Sequence, residues 1–310
     1  MHELVAETYA LTKRYRSVLA VDSLSIQVPR GGVFGLLGPN GSGKTTTMSM
    51  LLGLVSPTSG TFRLLGRDTN SGRREALHHI GAIVESPSFY PYLPGRMNLR
   101  YFQGIIGRGD SKDIERLLDL VGLSSRADSK FSTYSQGMKQ RLSVAYAMLG
   151  DPDLLFLDEP TNGLDPAGMA EVRELIRHLS TEGRTVLLSS HLLHEVEQVC
   201  DRVAILSRGR LIAQGAMRDL LQQRGIVKFS TTDDVRAAAV ISALPWVTSV
   251  TVENGYLTAE APPQRSWELT RALGDQGVFV KEMAPVQVSL ERYFLEVTGD
   301  DSSSAPGEPS

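Results

Sequence analysis

The sequence predicts an α/β protein: a doubly wound, largely parallel sheet, followed by a smaller α+β unit. Three observations carry that reading. Apolar, strand-like runs alternate with helical periods through about the first 220 residues. One junction reads strand, glycine-rich turn, helix: Val33-Phe34-Gly35-Leu36-Leu37, then Gly38-Pro39-Asn40-Gly41-Ser42-Gly43-Lys44-Thr45-Thr46, with Thr46-Thr47-Met48-Ser49-Met50-Leu51-Leu52 as the first turns of the helix. Beyond residue 225 the order becomes β-α-β-β-α-β, the ferredoxin-like pattern.

Composition sets outer bounds. The 310 residues suffice for one large domain or two, and a 41% hydrophobic share supports a sizeable core. The net charge of -3, with no basic block, argues against a protein whose main task is to grip nucleic acid. Cys200 is the single cysteine, so no intrachain disulfide can form and a reducing compartment is expected. The start, Met1-His2-Glu3-Leu4, has no secretory pattern. No run of about 18 apolar residues exists, so work at a membrane would need spans supplied by another chain.

In chain order, Leu4–Leu11 and Leu24–Val28 alternate as strands, joined by the loop Lys13-Arg14-Tyr15-Arg16. Tyr15 either stacks on a base or is a half-exposed surface tyrosine. After the glycine-rich turn and its helix, Thr61–Leu65 is a short strand, Arg73–His79 a short helix and Ile80–Val84 an apolar strand with Glu85 at its end. Residues 86–95 carry three prolines and several aromatics, which excludes regular structure and leaves a packed loop or a docking surface. Met97–Ile106, the period Ile114-Leu117-Leu118-Val121 and Met138–Leu149 are helical. Leu154–Leu157 is a strand ending in Asp158-Glu159, Ala167–Leu179 a helix, Thr185–Ser190 a strand ending at His191, and Leu192–Cys200 a helix. Arg202–Leu206 and Arg210–Gln214 form a hairpin. The C-terminal unit reads Ile226–Ser230, Asp233–Leu244, a hairpin of Trp246–Val252 and Tyr256–Glu260 about Asn254-Gly255, Arg265–Leu273 and Val278–Glu282. A last helix spans about Val288–Val297, and the polar tail 299–310 is expected to be disordered.

The glycine-rich turn fits G-x-x-x-x-G-K-[ST], the phosphate-binding P-loop. Glycines let the backbone approach an oxyanion, and the amides at a helix start favour negative charge. Lys44 can reach the β- and γ-phosphates, and the Thr45 hydroxyl can ligate Mg²⁺. An apolar strand ending in Asp158-Glu159 is on its own an acidic strand cap. Beside a P-loop it reads as the Walker B pattern, with Asp158 assisting Mg²⁺ and Glu159 placed as base for an attacking water. A histidine at the carboxyl end of a parallel strand, His191, faces the ligand crevice. No cluster in 225–310 reads as catalytic, which favours a regulatory or dimerising module.

Ser135-Gln136-Gly137-Met138-Lys139-Gln140-Arg141 resembles the signature motif of ABC-transporter ATPases. The other motifs then follow in family order. Tyr15 resembles the A-loop, Gly38–Thr46 Walker A, Glu85 stands at the Q-loop position, Leu154–Glu159 resembles Walker B, Gly163-Leu164-Asp165 the D-loop, and His191 the switch histidine. The resemblance covers residues 1–220. It implies an ABC ATPase core with an antiparallel β subdomain and a helical subdomain at about 86–150, followed by an accessory domain at 225–298 like that of many drug and antibiotic exporters. It further implies ATP and Mg²⁺ as cofactors, with Thr45, Glu85 and Asp158 toward the metal and Glu159 and His191 as the catalytic pair. Two such domains would close head to tail over ATP, Ser135, Gln136 and Gly137 of one covering nucleotide held by the other. The implied partners are a second ATPase subunit, expected to be an identical copy, and integral membrane permease subunits at the cytoplasmic membrane face; no nucleic acid is expected.

Two positions depart from the family pattern. Glutamate replaces the usual Q-loop glutamine at Glu85, and with Ser86-Pro87-Ser88-Phe89-Tyr90-Pro91 it resembles the E-loop of transporters for bacitracin-like and lantibiotic peptides. Gln136 stands where glycine is frequent, while Gly137 is kept. The function implied is an exporter ATPase for an antibiotic, an antimicrobial peptide or another amphipathic compound. The alternatives are a soluble ABC-type ATPase on ribosomes or DNA, for which one P-loop and no basic arm is a poor fit, and an importer ATPase.

Overall fold

The computed structural model describes residues 3–68, 73–84, 88–109, 111–222, 225–253, 255–286 and 289–299. Glu85, Asn254 and the tail from residue 300 therefore lie outside the described residues. The chain divides into two compact units between Gly215 and Ala216.

The first unit opens with β1 (Leu4–Tyr15), β2 (Val18–Leu24), β3 (Gln27–Pro29), β4 (Gly32–Leu37) and α1 (Lys44–Leu52). Then come β5 (Ser59–Leu64), β6 (Arg67–Asp68), α2 (Arg73–Leu77), β7 (Ile80–Ile83), α3 (Gly95–Ile106), α4 (Ser111–Leu120) and α5 (Gln136–Ala147). It closes with β8 (Leu154–Asp158), α6 (Pro166–Thr181), β9 (Thr185–Ser190), α7 (Leu193–Val199), β10 (Arg202–Ser207) and β11 (Arg210–Ala216). Six strands form one sheet in the order β11-β10-β4-β9-β8-β7, and every neighbouring pair from β10 to β7 is parallel. Their unbroken apolar runs follow from cover on both faces: Leu154 to Leu157 of β8 are wholly buried.

A second, antiparallel sheet is built on β1, which pairs with β2, β3 and β5. Here the sequence reading needs correction. Residues 13–15 are not a loop, because β1 runs on to Tyr15 and turns only at Arg16-Ser17. The single strand expected at 24–28 is two, β2 and β3. The cause is a break in alternation: the β1–β2 register shifts twice between Leu11 and Arg14, and Ala10 has φ +47°. Between the two sheets lies α1, whose Met48, Met50 and Leu51 share one core with Phe62, Phe34 and Phe156.

The helices α3, α4 and α5 pack through Leu99, Ile114, Leu117, Leu118 and Leu142, all buried. The proline-rich loop is anchored to them by Phe89, whose ring meets Phe131 at 4.9 Å and Phe102 at 5.8 Å. Buried Asn98 donates to the carbonyl of Tyr90 and accepts from its amide at 2.8 Å. Tyr92, Met97, Tyr101 and Ile105 remain exposed beside this anchor.

Glycine is required at Gly81 for space. A Cβ there would lie 1.8 Å from the carbonyl oxygen of Ala147, at the end of α5. Gly81→Ala is expected to lower stability by about 1–3 kcal/mol, as overpacking of a dense core does, measured by urea unfolding. Cys200 is buried, and burial raises its thiol well above the usual range. No helix among the described residues is long and apolar enough to cross a membrane.

The second unit contains α8 (Met217–Gln222), β12 (Ile226–Thr231), α9 (Asp234–Ser242), β13 (Ser249–Glu253), β14 (Tyr256–Glu260), α10 (Ser266–Asp275), β15 (Val280–Val286) and α11 (Leu290–Gly299). Its sheet runs β13-β14-β12-β15 with antiparallel neighbours. A separate core joins Val227, Phe229, Leu257 and Ala259 to Ala237, Ile241, Leu269 and Leu273 of α9 and α10. β13 begins three residues later than the apolar run suggests. Val247 is held in a turn by the carbonyl of Leu244, and the Trp246 ring stacks on the Arg265 guanidinium at 4.3 Å.

Candidate nucleotide-binding site

The site lies at the carboxyl ends of three adjacent parallel strands, β4, β9 and β8. β4 leads into the turn Gly38–Gly43, β8 ends at Asp158-Glu159, and β9 ends before His191. The pairings Leu37↔Ser190 and Asp158↔Ser189 bring the three ends level. Such a crevice at strand carboxyl ends is where open α/β sheets bind ligands.

Two glycines are obligatory in the turn. Gly38 has φ +151° and a Cβ there would lie 2.2 Å from the Leu206 carbonyl oxygen; Gly43 has φ +102° and would meet that of Ala20 at 2.7 Å. Gly43 caps α1, and the Thr47 amide is bonded back to its carbonyl at 2.9 Å. The earlier amides of a helix have no carbonyl partner within it, which makes them donors for an anion. Ser42 Oγ is buried without a hydrogen-bond partner among the described residues. The turn is braced from behind by Gly209, whose amide donates to the Ser42 carbonyl at 3.1 Å and whose carbonyl accepts from the Asp22 amide at 2.8 Å. Nothing in the sequence pointed to Gly209, since a glycine in a hairpin turn needs no further reason.

Lys44 is buried. Its Nζ donates to the carbonyls of Gly38 at 2.8 Å and Pro39 at 3.2 Å, and stands 3.5 Å from Glu159 Oε1. The other Glu159 oxygen is 2.9 Å from His191 Nδ1. Glu159 thus spans the lysine and the histidine, on a backbone at φ +47° that non-glycine residues seldom adopt. The Thr45 hydroxyl lies 2.9 and 3.1 Å from the two Asp158 oxygens. Ser189 donates to Asp158 Oδ1 and accepts from the Glu159 amide at 3.0 Å. Ser189 was passed over in the sequence; the available signal was a hydroxyl within an apolar strand, two residues before His191.

The structure therefore gathers Gly38, Pro39, Asn40, Gly41, Ser42, Gly43, Lys44, Thr45 and Thr46 with Asp158, Glu159 and His191. The remaining expected residues lie elsewhere. Tyr15 ends β1, 44% exposed, with Lys13 Nζ 4.8 Å from its ring centre. Its partner Val18 is two residues from Ala20, whose carbonyl abuts Gly43. Ser135 caps α5, accepting from the Met138 amide at 3.2 Å, and Ser135 and Gln136 are exposed. Gly137 has ordinary backbone angles and room for a Cβ, the nearest atom being 3.8 Å away, so its own chain does not demand glycine.

The donor set suits Mg²⁺ held together with a nucleotide. Thr45 and Asp158 converge two oxygen-bearing groups on one point, and no group of three or more His, Cys, Asp or Glu that could hold a metal by itself occurs among the described residues. Mg²⁺ characteristically takes one or two protein oxygens, with phosphates and water completing its octahedron.

A phosphate cradle, an acid pair and a histidine at the ends of adjacent parallel strands define a P-loop nucleotide-hydrolysing domain. The ABC transporter family pattern matches residues 21–162. The chain is 37% identical over 299 residues to the bacitracin transport ATP-binding protein BcrA of Enterococcus faecalis, covering 96% of this chain and 97% of that one. It is 42% identical over 214 residues to the Nod factor export ATP-binding protein I of Burkholderia pseudomallei (strain 1710b), covering 68% and 70%. A solved ATP-binding subunit of an ABC transporter superposes with a TM-score of 0.62 at 31% identity, over 71% of this chain and 92% of that one. The chain belongs to the ABC transporter family, as an ATP-binding and ATP-hydrolysing subunit.

Proposed function

We propose that this subunit drives efflux of an antibiotic, an antimicrobial peptide or another amphipathic compound through separate membrane subunits. The observation that carries the ATPase part is the Lys44–Glu159–His191 chain beside Thr45–Asp158. Lys44 and the α1 amides hold the phosphates, and Glu159 orients and deprotonates the attacking water. His191, hydrogen-bonded to Glu159, holds that carboxylate and senses the γ-phosphate. Mg²⁺, held by Thr45 and Asp158, would offset negative charge on the phosphates. Glu85 is assigned to the same metal from its place in the sequence. Tyr15 is the adenine platform, a role supported by its exposure and by the contact of β2 with Gly43.

Completion of the site is assigned to a second copy. Ser135, Gln136 and Gly137 present an exposed helix N-terminus with a glycine that internal packing does not require, which suits close approach to a phosphate held by another molecule. Permease docking is assigned to the groove of about 570 Å³ lined by Leu52, Leu54, Ile80, Ile105, Ile106 and Tyr146. Placement at the cytoplasmic membrane face is part of the same proposal. Efflux is favoured over uptake by the relatives named for bacitracin transport and Nod factor export.

The domain limits proposed are 1–220 for the ATPase, with its helical subdomain at about 86–150, and 225–298 for an accessory domain. The accessory domain is read as ferredoxin-like on the strength of its β-α-β-β-α-β order and its sheet order β13-β14-β12-β15. Its role is regulatory or dimerising. The test is a mild-detergent pull-down of the tagged subunit from native membranes, with copurifying chains identified by mass spectrometry. An integral membrane permease is expected; ribosomal proteins or nucleic acid with no membrane chain would overturn the exporter reading.

A further inference from the structure

We propose that Ser189 is a positioning residue whose single hydroxyl sets the metal-side acid, Asp158, and the water-side acid, Glu159, together. The proposal rests on the roles assigned above to those two acids. Ser189 is wholly buried on β9, paired with Leu36 on one side and Asp158 on the other. An ionised carboxylate can only accept a hydrogen bond, so the hydroxyl proton goes to Asp158 Oδ1. A backbone amide can only donate, so the Glu159 N–H takes a lone pair on the same oxygen, at 3.0 Å. Both bonds are thus fixed in direction: the one proton goes to Asp158 and a lone pair of the same oxygen to the Glu159 amide.

The consequence reaches both halves of the site. Asp158 meets Thr45 on its outer side and Ser189 on its inner side, which fixes the carboxylate plane that faces the metal position. The Glu159 amide is held while its backbone sits at φ +47°, a conformation that persists only where neighbouring contacts impose it. That backbone in turn aims the Glu159 carboxylate between Lys44 and His191. Hydroxyls that orient a metal-binding carboxylate without touching the metal are a recognised means of tuning such sites.

The test uses the full chain with Ser189→Ala, Ser189→Thr and Ser189→Cys, and the control Ser190→Ala. Ser190 is almost as deeply buried, but its hydroxyl bonds the Leu192 amide and touches neither acid. The first readout is binding of a fluorescent ATP analogue, titrated with Mg²⁺ and repeated in EDTA. Ser189→Ala is expected to raise the Mg²⁺ needed for half-maximal tight binding by about tenfold and to lower kcat by about 10- to 100-fold, the usual cost of losing such a supporting contact. Binding in EDTA should be unchanged, Ser189→Thr should restore most of the Mg²⁺ response, and Ser190→Ala should behave as the parent. If Ser189→Ala fails to fold, Ser189→Cys carries the test, because a thiol fills the space but donates weakly. A parent-like Mg²⁺ requirement in a folded Ala or Cys variant overturns the proposal. Asp158→Asn separates the two failures. If it raises the Mg²⁺ requirement and the Ser189 variants do not, only the role of Ser189 falls; if it leaves the requirement unchanged, the metal-side reading of Asp158 falls as well.

Discussion

Glu159→Gln is expected to lower the ATP turnover number by about 10²- to 10⁴-fold, the range that a positioned general base supplies. The amide keeps the shape of the carboxylate, so the backbone at φ +47° and its bond to Ser189 are retained. What it cannot do is take a proton from water. ATP should therefore still bind and, with two copies closed over it, stay bound. In the parent, Glu159 Oε1 lies 3.5 Å from Lys44 Nζ and competes with phosphate for that cation. The variant removes this competitor, so its affinity for MgATP should rise. Single-turnover hydrolysis and size-exclusion chromatography with ATP check both points. Hydrolysis at the parent rate would remove Glu159 from the base role.

Lys44→Ala should abolish useful nucleotide binding. The side chain is 6% exposed, and its ammonium serves the carbonyls of Gly38 and Pro39 as well as Glu159. Deleting it leaves two carbonyls turned inward without their donor and an acid without its cation. It also removes a side-chain cation placed to reach the phosphates. A hydrogen bond to a charged group is worth about 1.5–3 kcal/mol, so losing even one such contact weakens MgATP binding by about 10- to 150-fold. Lys44→Arg should not restore it, because a planar guanidinium cannot replace a compact ammonium among carbonyls this close. Calorimetric titration with MgATP is the measurement, and an affinity within threefold of the parent would refute the role.

The parts of this fold set by local chemistry were legible in the sequence. The P-loop lies where Gly38 and Gly43 place it, since each needs a backbone region or a clearance that a side chain forbids. β8 and β9 were readable because a strand covered on both faces carries an unbroken apolar run. Two kinds of feature were not legible. The β1–β2 hairpin was misjudged because irregular register at Leu11–Arg14 breaks the two-residue alternation. Ser189 and Gly209 were missed because their roles depend on partners distant in sequence, and one chain read alone carries no sign of which hydroxyl faces which acid.

The ion pair between Lys44 and Glu159 also bears on which nucleotide species the cradle holds. Among the described residues its side chains include one cation, Lys44, and two carboxylates, Asp158 and Glu159. Lys44 is therefore already matched by a carboxylate, and the backbone amides at the start of α1 add their own pull on phosphate. A triphosphate arriving without a counterion meets two carboxylates; the same triphosphate chelated to a divalent cation meets two ligands. Affinity therefore depends on the ionic form of the nucleotide, and a chelator in the assay weakens binding by withdrawing the form held more tightly.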